Sequence, residues 1–83
     1  MLEHNNEISV DKLKILLATN LRTLRKERGI TQEELAKITC INRSQIAKYE
    51  NGERLMGIDK LLCIAKTLKV SPSAILKDWL IEL

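Results

Sequence analysis

Arg43, Ser44, Gln45 and Lys48 stand close together in the stretch NRSQIAKYENG, Asn42–Gly52. Arg43 carries a planar fork of donors that matches guanine O6 and N7, and Ser44 can pair with several bases. Lys48 lies a turn further on and projects near the same side of a helix. The apolar Ile46 and Tyr49, three apart, face the other way. Donors near the start of a short helix, turned away from its apolar side, are what reading base edges in a groove requires. No other constellation competes with this one. The chain lacks a Gly-rich phosphate loop, a Ser-His-Asp set and a metal-ligand cluster, so no enzyme activity, metal or cofactor is expected. His4 is the one histidine, and Cys40 and Cys63 have no paired spacing. The two cysteines read as small hydrophobes more readily than as a redox pair.

Such a helix needs a scaffold, and the pattern supplies helices only. Ser9 is a cap, with Asp11 in the first turn, where a negative charge suits the dipole. Leu13, Leu17, Leu21 and Leu24 then recur as one apolar face, widened by Ile15 and Leu16. This first helix should run to about Arg28 and stop at Gly29. Its basic residues, Arg22 and Arg28 among them, read as a solvated face. Thr31 with Glu34 forms a capping box for a second helix, with Ile30 stapled against Leu35. Leu35, Ala36 and Thr39 point inward, and Cys40–Asn42 form a break. Asn42 caps the third helix, Arg43 to about Glu50. A fourth is expected over Ile58–Leu68, with Ile58, Leu61, Leu62, Ala65 and Leu68 on one face. Ser71 caps a fifth, with Pro72 in its first turn, carrying Ile75, Leu76, Trp79, Leu80 and Leu83.

Composition agrees with that scaffold. The chain has 83 residues, 45% hydrophobic and 30% charged, with one proline and no phenylalanine. This is a globular balance that favours an all-α domain. A net charge of +3 is compatible with a nucleic-acid partner without demanding one. No apolar run approaches the roughly 20 residues that cross a bilayer, and MLEHNNEISV is not a secretory signal. The expected compartment is the cytoplasm. Residues 1–8 are expected to form a flexible tail and residues 9–83 a single domain.

The second helix, the short turn and the third helix make a helix-turn-helix. The stretch LRTLRKERGITQEELAKITCINRSQIAKYENGERLMGIDKLLCIAKTLKVSPSAIL, Leu21 to Leu76, resembles the lambda-repressor-like, Cro/XRE-type DNA-binding family of phage repressors and small bacterial regulators. The resemblance implies a compact five-helix domain in which the third helix enters the major groove and the second lies across the backbone. It implies base contacts from Arg43, Ser44 and Lys48. It implies phosphate or mixed contacts from Gln32, Gln45, Asn51 and Arg54. Gln32 would sit where a helix N-terminus favours an anion. It also implies an ion pair between Arg25 and Glu50. Two departures stand out. Cys40 replaces a turn glycine, where a left-handed backbone would strain a cysteine and could alter the turn. Met56 replaces a frequent proline.

The expected function is a sequence-specific transcriptional regulator of double-stranded DNA, such as a repressor or a controller protein. One helix-turn-helix reads few base pairs, so a homodimer on an inverted repeat is expected, with copies about one DNA turn (roughly 34 Å) apart. Residues 71–83 are the expected dimerisation helix, through Ile75, Trp79, Leu80 and Leu83. The rival reading is a protein-interaction module, such as an antitoxin, that buries this apolar segment against a toxin or another regulator.

Overall fold

The computed structural model describes residues 8–78. Among them are α1 (Val10–Glu27), α2 (Gln32–Thr39), α3 (Arg43–Glu50), α4 (Ile58–Leu68) and α5 (Pro72–Ile75), with no strand. No described helix is long and apolar enough to cross a membrane. The residues expected as a tail lie outside the described part, apart from the exposed Ile8.

Four of the five described helices start where a side chain can satisfy orphan N–H groups; α4 starts after Gly57 without a side-chain cap. The Ser9 hydroxyl accepts from the Lys12 N–H. At α2 both halves of the capping box form. Thr31 Oγ1 accepts from the Glu34 N–H at 3.0 Å, and Glu34 Oε1 accepts from the Thr31 N–H at 2.9 Å. The Thr31 backbone bond, then its hydroxyl, holds the Glu34 carboxyl below its ordinary range. Asn42 Oδ1 caps α3 by accepting from the Ser44 N–H at 2.8 Å. Ser71 caps α5, with Pro72 as the first helical residue.

The turn between α2 and α3 keeps the conformation that a glycine would favour. Cys40 sits at φ 59, ψ 24, in the left-handed region. The expected local departure does not occur; the cysteine takes the strained backbone instead. Thr39 helps to hold it. Its hydroxyl donates to the Leu35 carbonyl at 2.7 Å and accepts from the Ile41 N–H at 3.3 Å. Both cysteines are exposed, so neither is the packed hydrophobe expected of it.

The core is built from all five helices. Leu21, Leu35, Ile46, Ile64 and Ile75 are each 0% exposed. α3 packs on both α1 and α2, α4 lies against α2 and α5, and α5 returns to α1. The inward faces differ from the expected ones at three places. On α4 the buried stripe is Leu61, Ile64, Ala65 and Leu68, a clean i, i+3, i+4, i+7 series. Ile58 and Leu62 fall on the neighbouring strip and are 69% and 49% exposed. On α1, Ile15 is likewise exposed, whereas Ala18 is buried. Met56, in the loop before α4, is buried and fills the core from outside any helix.

The fifth helix is shorter than expected. α5 ends at Ile75, and Asp78 adopts φ 70. Asn20 on α1 fastens this end, its amide donating to the Ile75 and Lys77 carbonyls at 2.8 and 3.0 Å. Ile75, expected at a surface between copies, is fully buried inside its own protomer and has no face to offer a partner. Trp79, Leu80 and Leu83 lie outside the described residues.

Candidate nucleic-acid interface

α3 turns one side to the core and the other to solvent. Ile46, Tyr49 and Glu50 are buried, at 0%, 3% and 1% exposure. Arg43, Ser44 and Lys48 are exposed, as are Asn51 and Arg54 just beyond the helix. The presented face carries polar donors and two positive charges. Glu50, the one acidic residue of α3, points away from it.

Glu50 is the joint of the assembly. Its carboxylate accepts from Arg25 Nε at 2.5 Å and from Arg25 Nη2 at 2.9 Å. The expected pair between these residues is thus present, and it is buried. The hydrogen bond to Glu50, helped by its negative charge, raises the Arg25 pKa against the desolvation that would lower it. Arg25 Nη1 also donates to the Ile30 carbonyl at 2.7 Å, reaching the segment before α2. Arg22 donates to the Glu50 backbone carbonyl. Gln32, at the start of α2, donates from Nε2 to Glu50 Oε1 at 3.1 Å. α1, α2 and α3 therefore meet at one carboxylate. Charge-assisted bonds of this kind are short and directional, so they fix the relative pose of the two helices of the motif.

Arg22 and Arg28 were expected on a solvated face, and both act as ties. Arg28 donates from Nε to the Leu68 carbonyl at 2.7 Å, joining the end of α1 to the end of α4. A sequence signal existed for Arg22: it lies three residues before Arg25, on the same helix face. Nothing in the local pattern marked Arg28, because its partner is a backbone carbonyl 40 positions away.

The polar side chains are already oriented. Ser44 Oγ donates to Asn42 Oδ1 at 2.7 Å, so its hydrogen is spent and lone pairs remain. Gln45 is half-buried; its Nε2 donates to Tyr49 Oη at 3.0 Å, and its Oε1 accepts from Arg54 Nη1 at 3.1 Å. One of the two Gln32 amide N–H groups is engaged by Glu50. The other, with the backbone N–H groups of Gln32 and Glu33 that a helix does not use internally, is available to an anion at the start of α2.

The helix-turn-helix family model matches residues 21–75. The control protein C.SmaI of Serratia marcescens is 36% identical over 59 residues, covering 71% of this chain and 70% of that protein. The antitoxin PezA of Streptococcus pneumoniae is 32% identical over 56 residues, covering 68% of this chain but 35% of PezA. Among solved structures, one chain of the restriction-modification controller protein C.Esp1396I, from its tetramer in complex with its natural 35-base-pair operator, superposes with a TM-score of 0.71. The identity is 31%, over 84% of this chain and 91% of that one.

Proposed function

Because the chain belongs to the helix-turn-helix family through its match over residues 21–75, we propose that it is a sequence-specific, DNA-binding transcriptional regulator. It binds an inverted repeat as a homodimer, with α3 of each copy in the major groove. The observation that carries this reading is the two-sided α3. Arg43, Ser44 and Lys48 are exposed on a helix whose other side is fixed by Ile46, Tyr49 and the buried Glu50.

Residue roles follow from the hydrogen bonds. Arg43 and Lys48 donate to guanine acceptors. Ser44, with its proton given to Asn42, accepts from the exocyclic amine of adenine or cytosine. Arg54, Asn51 and the N–H groups at the start of α2 take phosphates, which position the domain and provide the salt-sensitive part of the affinity. The Gln32 side chain supports this indirectly, through Glu50. Trp79, Leu80 and Leu83 provide apolar surface between copies, and the protein acts in the cytoplasm without a catalytic role.

The likeness to C.SmaI over 71% of the chain, and to C.Esp1396I on its operator over 84%, supports the DNA-binding reading. The likeness to PezA touches only about a third of that protein, so a toxin-binding role draws less support. The test is selection from a randomised duplex pool with purified protein at two salt concentrations. Enrichment of an inverted repeat, bound at least about a thousand-fold more tightly than unselected DNA, is expected. Salt-sensitive binding with no enrichment would reject sequence-specific recognition.

A further inference from the structure

Arg54 lies in the loop after α3. Its guanidinium is exposed and makes no ion pair among the described residues. A long exposed arginine samples many rotamers, and fixing it on a phosphate costs that freedom. Here one edge of the guanidinium is already fixed. Arg54 Nη1 donates to Gln45 Oε1, and the same Gln45 amide donates from Nε2 to Tyr49 Oη. Tyr49 is 3% exposed and packed in the core. Gln45 and Tyr49 are four apart on α3, so the helix itself sets their register.

Resting on the DNA-binding reading above, we propose that Gln45 is a positioning residue: it relays the rigidity of Tyr49 to Arg54 and aims that arginine at the DNA backbone. Gln45 does not read a base. Each end of its amide already holds one partner within the protein, so the plane of the carboxamide is set by Tyr49 and Arg54 and not by a base edge. The remaining guanidinium donors of Arg54 face outward and take a phosphate oxygen. The relay works by preorganisation: the ordering that binding would otherwise impose on Arg54 is present beforehand.

The relay predicts non-additivity. Binding is measured on a labelled duplex carrying the site recovered with the wild-type protein, across a series of salt concentrations. Arg54→Ala should weaken binding about ten-fold and reduce the slope of log affinity against log salt by about one. Gln45→Ala should reproduce most of both losses, although no charge is removed. Tyr49→Phe, which deletes only a hydroxyl, should move both in the same direction. Gln45→Ala combined with Arg54→Ala should be no worse than Arg54→Ala alone. A purely structural role for Gln45 would not move the salt slope. Thermal unfolding of each variant separates lost positioning from lost fold, and Tyr49→Phe keeps the core ring in place.

The relay is overturned if Gln45→Ala leaves affinity and slope unchanged. It is also overturned if the losses from Gln45→Ala and Arg54→Ala add, because Gln45 would then touch DNA on its own. If the wild-type protein recovers no site at all, the underlying DNA-binding reading falls and the relay falls with it. That result is distinct from a normal wild-type isotherm with additive variants.

Discussion

Replacing Arg25 with methionine should be among the most damaging single changes in this protein. Glu50 is 1% exposed, and its carboxylate has two bonds from Arg25 and one from Gln32. Arg25→Met removes the positive charge and both guanidinium bonds to the carboxylate. One neutral amide then remains for a buried negative group. Breaking a buried pair by deleting one partner costs about 3–5 kcal/mol, mostly as the penalty for the charge left behind. A domain of this size has roughly 4–12 kcal/mol of stability in total, so the variant loses a large part of it. Urea unfolding at neutral pH should register the loss as a lower midpoint, and thermal unfolding as a drop of at least ~12 °C. The double variant Arg25→Met, Glu50→Leu should recover most of it, because well-packed apolar groups often replace a buried pair at little cost. A single-variant loss below about 1 kcal/mol would refute the reasoning, since that is how a screened surface pair behaves. A double variant as unstable as the single would refute it too, by showing that the stranded charge is not the cause.

Three further outcomes are expected. Cys40→Gly should stabilise the fold by about 0.5–1 kcal/mol, because a side chain at φ 59 costs more than the extra chain entropy of glycine; a lower urea midpoint would contradict this. Ile64→Ala should cost about 2–5 kcal/mol, whereas Leu62→Ala should cost well under 1 kcal/mol, because Ile64 is buried and Leu62 is 49% exposed; equal losses would contradict the rotation assigned to α4. Glu34 has a depressed pKa in the fold, so its contribution is present above the ordinary glutamate value of 4.5 and fades as the pH falls through the lower folded value. Urea midpoints of the wild type should therefore fall more steeply below pH 4.5 than those of Glu34→Gln, and parallel curves would show that the capping box does not carry this acid sensitivity.

Much of the scaffold is legible in the chain because its signals are local. The Thr31–Glu34 box, the Asn42 cap and the Ser71-Pro72 start each depend on residues within one turn, and the starts of α2, α3 and α5 follow from them. Which apolar residue faces inward is less local. Ile58 and Leu62 share a helix side with Leu61 to within one step of rotation, and only packing against α2 and α5 selects Ile64 instead. Burial of Met56 depends on the path of a loop, which has no period to read. The early end of α5 depends on Asn20, 55 positions from Ile75, donating across to its carbonyl. At the candidate interface, the pattern identifies Arg43, Ser44 and Lys48 as an exposed polar group. The orientation of Ser44, and of Arg54 beyond the helix, comes from bonds that spacing does not specify, to Asn42 and to Gln45. The engagement of Gln32 with Glu50 joins two helices through side chains alone, and periodicity carries no trace of it.

The most direct test of base reading by α3 is to repeat the selection with Arg43→Ala and compare the recovered sites position by position. If Arg43 reads a base, the preference at one position in each half-site, and at its symmetry mate, relaxes by about 1–3 kcal/mol while the others persist. If the recovered site is unchanged and affinity drops uniformly across sequences, Arg43 acts on phosphates, and the claim that this face of α3 reads the bases is contradicted.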